Sequence, residues 1–229
     1  MTDYQRYAVY FAPERDSALE AFGASWLGWD VRRGTAVPHP DVGGLPAPIS
    51  ELTKTPCKYG FHGTLKPPFA LADGVGYADL LAGVEAFAAE MPRFALNGLV
   101  VSRLGGFVAL TPRGDTGPLT RLACGVVEAL EPFRAPLSKA ALAKRRAGGL
   151  SPRQEALLQR FGYPYVMDQF RFHLTLTGKL PEAEAEAVRQ VLETHLETLL
   201  AGPVPVHDLA LFGEDPQGRF HEVTRVPLA

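Results

Sequence analysis

The sequence predicts an α+β fold in which two similar lobes enclose a central cleft. The chain has 229 residues, of which 46% are hydrophobic and 21% charged, and these values are typical of a soluble globular protein. Strand-like and helix-like segments follow one another in the same order twice, and each pass contains one of two related stretches, FHGTL and FHLTL. We therefore expect one domain, residues 1–229, built as a pseudo-two-fold duplicate with helices packed outside two antiparallel sheets.

The first lobe is expected over about residues 1–115. Helices are indicated by apolar residues at 3.6-residue spacing, and strands by short runs rich in β-branched and aromatic residues. In order, these patterns predict a strand in RYAVYFAP, a helix in DSALEAFGASWLGW with Asp16 as its cap, a Pro- and Gly-rich loop over 30–56, a strand over 60–66, a helix over 77–91 and a hairpin across Gly105 and Gly106.

The second lobe is expected over about residues 166–229, after a helix at 117–131. Its elements repeat the order of the first lobe: a strand in QFRFHLTLTG, a helix over 182–200, and the strands VPVHDLALF and RFHEVTRVPL joined by the turn GEDPQG. His62 and His173 are 111 positions apart, and the same offset carries Val100 onto Leu211 in the matching strand. This spacing indicates a duplicated unit rather than a chance pair of short motifs.

A basic insert, residues 135–165, interrupts the duplication. It holds six lysines and arginines and a single acid, Glu155. Ser151 and Gln154 fit a capping box, so we expect a glycine-hinged loop that leads into a short helix. The insert is either a solvated surface loop or a lid for an anionic substrate.

Alternation along a strand predicts that each motif carries one apolar face and one polar face. The polar faces hold His62, Thr64 and Lys66 in the first motif, and Arg171, His173, Thr175 and Thr177 in the second. If the two polar faces meet in the cleft, two imidazoles would lie together. One could take a proton from an attacking oxygen while the other gives a proton to a leaving oxygen. A lone strand histidine would be read as structural, so the catalytic interpretation depends on the pair.

The remaining polar side chains suit a phosphate substrate. The hydroxyls of Thr64 and Thr175 could donate hydrogen bonds to non-bridging phosphate oxygens. Lys66, Arg171 and Thr177 are candidate phosphate contacts, and Tyr165 and Tyr10 are candidates to wall the pocket or stack on a base; Tyr163 is weighed in the same way.

Two H-x-T motifs, each inside an apolar strand of a duplicated half, resemble the signature of the 2H phosphoesterase superfamily. The match lies at His62, Thr64, His173 and Thr175, and the order of elements agrees over most of the chain. The opening RYAVYFAP, the context FHGTLKPPF and the basic insert resemble a branch found with bacterial phosphonate-utilisation genes. The insert separates the motifs more widely than in compact members of the superfamily.

The resemblance implies a hydrolase that opens a cyclic phosphate to a phosphomonoester, with both histidines as catalytic residues and no cofactor. Its phosphonate association implies a phosphoribosyl cyclic phosphate as the substrate. One alternative is an RNA 2′,3′-cyclic phosphodiesterase or 2′-5′ RNA ligase-like enzyme, against which the net charge of −2 argues. Another is a non-catalytic module that binds a phosphorylated metabolite.

Metal, membrane and export classes are not expected from the sequence. Neither motif strand carries an acid or cysteine on its polar face, so the histidines lack the further ligands of a metal site. Cys57 and Cys124 do not form a CxxC pair, which favours reduced thiols. The N-terminus lacks a signal pattern and no apolar run reaches membrane-spanning length. We expect a cytoplasmic protein with a small phosphorylated ligand.

Overall fold

A computed structural model describes residues 4–229, and all their strand pairings are antiparallel. The strands are β1 Arg6–Phe11, β2 Trp29–Asp30, β3 Thr35–Ala36, β4 Gly63–Phe69, β5 Phe94–Leu96, β6 Leu99–Leu104, β7 Phe107–Pro112, β8 Leu174–Thr175, β9 Val204–Val206, β10 Asp208–Glu214 and β11 Phe220–Pro227. The helices are α1 Ala18–Leu27, α2 Ile49–Leu52, α3 Tyr77–Ala88, α4 Gly117–Ala129, α5 Lys139–Arg146, α6 Pro152–Phe161 and α7 Glu182–Leu196. The fold class is α+β, as expected.

The main sheet has seven strands in the order β11-β10-β1-β4-β8-β7-β6. Its two halves meet at the two motif strands, β4 and β8, which are joined through a single residue pair, Gly63 opposite Leu174. β8 is only two residues long, much shorter than the strand predicted in QFRFHLTLTG. The two halves therefore form one continuous sheet with a narrow seam, and both motifs lie at that seam.

Each half of the sheet is completed by the hairpin that follows the other motif in the chain. The hairpin β6–β7 pairs with β8, and the hairpin β10–β11 pairs through β10 with β1, which pairs with β4. The lobe boundaries expected at about 1–115 and 166–229 therefore differ from the structure, because each half contains segments from both parts of the chain.

The two faces of the sheet are covered differently. On β1, Val9 and its alternate neighbours enter the main core, into which α1, α3, α4 and α7 also pack. Tyr10 points to the opposite face, where it packs with Phe212 of β10 and Phe220 of β11 in a smaller apolar cluster. Helices thus cover one face, and on the other face Tyr10 stacks on His62.

Local chemistry explains most of the helix ends and several departures from prediction. Ser151 and Gln154 form the expected capping box at the start of α6. The cap of α1 is Ser17 rather than Asp16, since its hydroxyl accepts the amide of Glu20. The segment 30–56 includes the short pair β2–β3 and the helix α2 instead of only loop. Residues 139–146 of the insert also form a helix, α5, where a loop was predicted.

Candidate active site

The two motifs lie side by side at the seam of the sheet. Since Gly63 is opposite Leu174, the antiparallel register extended by one residue places His62 opposite Thr175 and Thr64 opposite His173. Directly opposed side chains have Cβ atoms about 5 Å apart, and diagonal ones about 7–8 Å. His62 and His173 are diagonal neighbours in this register.

The imidazole of His62 is held by two contacts. Its Nδ1 lies 2.9 Å from the carbonyl oxygen of Gly60, and because a carbonyl only accepts, Nδ1 carries the proton. The ring stacks on Tyr10, with ring centres 3.7 Å apart. Gly60 has a positive φ of 72°, which favours glycine at this turn. The unprotonated Nε2 of His62 therefore faces away from the turn.

His173 repeats the same arrangement in the second motif. Its Nδ1 lies 2.8 Å from the carbonyl oxygen of Arg171, again two residues earlier in the chain. Phe107 of β7 lies beside the ring at 5.5 Å. Both histidines thus donate from Nδ1 to a backbone carbonyl and leave Nε2 available.

The two histidines differ in how far they are withdrawn from solvent. Burial lowers the pKa of His62 from 6.5 to about 4; the hydrogen bond to Gly60 opposes this effect, and the nearby His173 adds to it. His62 is therefore neutral at pH 7.

Thr64 and Thr175 are half-buried at the seam beside the histidines. The Thr64 hydroxyl lies 3.2 Å from Nε2 of His62 and can donate to it. Thr175 is opposite Ala109 of β7, so β8 is fixed on both sides.

Lys66 does not join the polar face, contrary to the prediction. The pairing of β1 with β4 shifts between Tyr10 and Val9, so Lys66 lies opposite the core residue Val9. Only 2% of Lys66 is exposed, and its ammonium donates to the Val127 carbonyl at 3.0 Å and to Glu131 at 3.2 Å. Burial lowers its pKa, and Glu131 opposes that shift. Lys66 is a structural cation under the sheet, so it cannot contact a substrate in the cleft.

Thr177 also departs from the predicted face. The amides of Leu176 and Thr177 both donate to the carbonyl of Val108, so regular alternation ends just after Thr175. The Thr177 hydroxyl accepts the Val108 amide at 3.0 Å and donates to the Gly178 carbonyl at 2.9 Å. Because its hydroxyl is used by the backbone and its side chain is buried, Thr177 is not a substrate contact.

The remaining predicted substrate contacts differ in their burial and in their neighbours. Tyr10 is fully buried beneath His62, so it positions that ring instead of walling the pocket. Tyr165 is 48% exposed and packs against Tyr163 with ring centres 5.6 Å apart. Arg171 is exposed, and its guanidinium makes no ion pair with the part of the chain that the structure describes. Arg171 is thus the cation available beside His173.

Sequence reasoning missed the residues that surround His62. Tyr59 lies with its ring 6.4 Å from that of His62, and Phe212 of β10 lies at the same ring distance. Phe212 comes from the C-terminal hairpin, so no local pattern could have placed it there. Gly60 could have been noticed, because a glycine two residues before a histidine permits a turn that returns a carbonyl to Nδ1.

A separate cavity of about 590 Å³ lies next to α1 and β2. Its charged side chains are already paired with one another: Arg32 with Asp16 and Glu20, and Arg225 with Glu222. Within residues 4–229, no group of three or more His, Cys, Asp or Glu side chains is arranged to hold a metal ion. None of the helices described is both long and apolar enough to cross a membrane.

Two curated proteins match nearly the whole chain. Both are called ribose 1,5-bisphosphate phosphokinase PhnN. The protein of Janthinobacterium sp. (strain Marseille) is 38% identical over 230 residues, and that of Laribacter hongkongensis (strain HLHK9) is 35% identical over 223 residues. The alignments cover 98% and 96% of this chain but only 51% of each relative. The chain thus spans about half the length of these relatives.

Solved structures with a related arrangement include one described as a phosphoesterase, with 16% identity and a TM-score of 0.43, and E. coli LigT complexed with 3′-AMP, with 14% identity and a TM-score of 0.43. Both alignments cover 99% of each chain. TT0787 of Thermus thermophilus has 17% identity, 97% coverage of both chains and a TM-score of 0.42. All three TM-scores lie below 0.5.

The family model described as protein of unknown function (DUF1045) matches residues 64–221, well over half of the sequence. That range begins at Thr64 and includes His173, so it contains most of the seam described above. The chain therefore belongs to the DUF1045 family.

Proposed function

We propose that the chain is a metal-independent cyclic phosphodiesterase that uses His62 and His173 as its acid–base pair. The observation that carries this proposal is the matched geometry at the seam. Each imidazole donates from Nδ1 to a carbonyl two residues earlier, and the cross-strand register places each histidine opposite the threonine of the other motif. Two positioned imidazoles whose Nε2 atoms are not used by the backbone suit in-line attack on phosphorus.

In the proposed reaction, His62 is the base and His173 is the acid. His62 is neutral at pH 7 because burial lowers its pKa, so its Nε2 can take a proton from water. The water oxygen forms a bond to phosphorus while the bond from phosphorus to one ring ester oxygen breaks. His173, protonated on Nε2, gives its proton to that leaving oxygen. The product is a phosphomonoester, and the two rings regain their starting protonation through solvent.

Hydrogen-bond donors beside the histidines would stabilise the charge that builds up on phosphate. The hydroxyls of Thr64 and Thr175 would donate to non-bridging oxygens, and Arg171 would contribute a charge-assisted bond. Arg171 supports this role because it is exposed beside the second histidine. In the free protein, Thr64 lies close to Nε2 of His62, so a bound phosphate would replace that contact.

The relatives' name suggests the substrate class. Those proteins are named for phosphorylation of ribose 1,5-bisphosphate, and this chain matches only about half of their length. The chain has no G-x-x-x-x-G-K-S/T segment for nucleotide phosphates. Opening a 1,2-cyclic phosphate of ribose 5-phosphate at the 2-oxygen would yield ribose 1,5-bisphosphate. We therefore propose a phosphoribosyl cyclic phosphate as the substrate, with its product used by the kinase.

The test is a panel of cyclic phosphates assayed with EDTA present, with product esters identified by phosphorus NMR. The panel contains ribose 5-phosphate 1,2-cyclic phosphate, ribose 1,2-cyclic phosphate and an RNA oligonucleotide with a 2′,3′-cyclic end. His62→Asn and His173→Asn should each lose about 10²–10⁴-fold in kcat. His195→Asn, which changes an exposed histidine of α7, is the matched control and should keep wild-type activity.

Three outcomes would contradict the proposal. Loss of activity in EDTA would show that a metal takes part. Retention of most activity in either motif variant would remove that histidine from the chemistry. Exclusive turnover of the RNA oligonucleotide would replace the sugar phosphate with an RNA substrate.

A further inference from the structure

Most arginines in the second part of the insert are neutralised at the surface. The ion pairs join Arg146 to Glu155, Arg153 to Asp168, and Arg160 to Glu128. Exposed pairs of this kind contribute little to stability and are well solvated. These three arginines therefore behave as ordinary charged residues of a solvated surface.

Arg145, next to Arg146 in α5, differs from these arginines in its burial and in its partners. It is half-buried, and none of the carboxylates in residues 4–229 forms an ion pair with its guanidinium. Instead, the guanidinium lies over the ring of Tyr163, 4.9 Å from the ring centre. A half-buried cation is costly without an anionic partner. Its position therefore suggests that an anion from outside the chain completes the site.

Arg6 and Arg134 both influence the charge of Arg145. Burial lowers the pKa of Arg145, the ring of Tyr163 opposes that shift, and Arg6 and Arg134 add to it by repulsion. Arg6 is paired with Glu214, and Arg134 with Glu131. Glu131 is shared with Lys66, so the region carries more cations than carboxylates.

Aromatic residues connect this basic region to His62. Tyr10 lies directly under His62, and Tyr59 lies 6.4 Å from it. Burial raises the pKa of Tyr10 well above its ordinary value, and Tyr59, Arg6 and Tyr163 are among the groups that act on its phenol. The same Tyr163 carries the guanidinium of Arg145 on its face. Arg134 and Gly162 line a small cavity together with Lys66 and Phe69 of β4, so the basic region lies beside the strand that begins just after His62.

We propose that Arg145, whose guanidinium lies over the ring of Tyr163, binds a second phosphate group of the substrate. The substrate would be a cyclic phosphate that also carries a phosphomonoester, with the cyclic group at the two histidines and the monoester at Arg145. This inference rests on the proposed function for the identity of the reacting group, and it assigns the insert a role in specificity. A dianionic monoester is a suitable partner for the unpaired guanidinium group of Arg145.

The test compares two substrates that differ only in the monoester: ribose 5-phosphate 1,2-cyclic phosphate and ribose 1,2-cyclic phosphate. Arg145→Ala should lower kcat/KM for the first by roughly 10- to 100-fold, the range for loss of one charge-assisted hydrogen bond, and leave the second nearly unchanged. Arg145→Lys should recover part of the loss. Arg146→Ala is the matched control, since Arg146 is exposed and already paired with Glu155; it should treat both substrates like wild type.

Two results would overturn the assignment: an equal loss on both substrates, which indicates a structural effect, or no loss on either. A binding experiment separates this inference from the catalytic proposal. Ribose 5-phosphate, which has a monoester but no cyclic group, is titrated into wild type and Arg145→Ala by calorimetry. If wild type turns over no cyclic phosphate, the proposed function fails. Weaker binding of ribose 5-phosphate to Arg145→Ala than to wild type would still support the phosphate subsite. Equal binding to both proteins, or no binding to either, would refute the subsite.

Discussion

Lowering the pH from 7 to 4 should destabilise the fold through His62, because its imidazole gains a proton less readily in the folded chain than in the unfolded chain. The pKa of His62 is about 4 in the folded protein and near 6.5 in an unfolded chain. Between these values the unfolded chain binds a proton that the folded chain does not. The stabilisation is therefore fully present above about pH 6.5 and is lost as the pH falls through about 4.

The magnitude follows from the difference between the two pKa values. It corresponds to at most about 3 kcal/mol at neutral pH, and partial exposure of the ring reduces that figure. Globular domains have total stabilities of about 5–15 kcal/mol, so this one group would be visible in an unfolding experiment. The same burial keeps the ring of His62 neutral at pH 7.

The assay is urea unfolding of wild type and His62→Gln at several pH values from 7 to 4.5, with the midpoint and the slope both recorded. Carboxylates titrate in part of this window, so the informative quantity is the difference between the two chains. Wild type should lose more stability than the variant as the pH falls. His195→Gln, at an exposed site, should behave like wild type. If wild type and His62→Gln lose stability in parallel, burial does not lower the pKa of His62 as the structure indicates.

Four single substitutions and one double substitution test the packing around the seam. Glu131→Gln should destabilise the fold by about 3 kcal/mol in urea, because it removes the carboxylate from the buried Lys66, whereas Lys66→Met should change stability by less than about 1 kcal/mol. Thr177→Val should cost about 1–3 kcal/mol in the same assay, since two backbone groups lose a partner; an unchanged midpoint would contradict that account. Gly63→Ala should lower both the Tm and kcat/KM, because its Cβ would lie 2.3 Å from the ring of Phe172. Adding Phe172→Leu should restore part of both.

Local patterns were sufficient to place the strongly periodic helices. Helices predicted over 77–91, 117–131 and 182–200 are found at Tyr77–Ala88, Gly117–Ala129 and Glu182–Leu196. Each has a continuous apolar stripe, so its existence depends little on distant residues. The loop prediction over residues 139–146 was wrong because charge and the nearby glycines were given more weight than the helix-favouring run of Ala, Lys and Arg.

The predicted positions of Lys66 and Thr177 were wrong because regular strand alternation is interrupted before each of these residues. Alternation predicted that Lys66 and Thr177 would share a face with the histidines. A shift in the β1–β4 register turns Lys66 towards the core, and the amides of Leu176 and Thr177 share one carbonyl, that of Val108. Such irregularities depend on the partner strand. They are therefore invisible in a single strand's sequence, even when the motif itself is recognised.

Local sequence patterns also could not predict which hairpin pairs with which half of the sheet. The hairpins β6–β7 and β10–β11 show the same alternation, so each is compatible with the half that contains β4 and with the half that contains β8. In the structure they are exchanged: β6–β7 completes the half that contains β8, and β10–β11 completes the half that contains β4. Folding of each half therefore requires contacts between distant parts of the chain. This arrangement makes the two parts mutually dependent, although they look like separate repeats in the sequence.

Dividing the chain between Gly114 and Asp115, in the exposed loop between β7 and α4, tests this exchange directly. The fragment 1–114 retains β1, β4, β6 and β7 but loses β8 and β10, so both of its strand pairs lack a neighbour. We expect each fragment alone to be unfolded or aggregated by circular dichroism, and the two fragments to form a stable complex when expressed together. Cooperative unfolding of isolated 1–114 would show that this segment is a lobe in its own right and would refute the exchanged pairing. Since the histidines come from different fragments, turnover of a cyclic phosphate by the complex alone would show that the seam had been rebuilt from both.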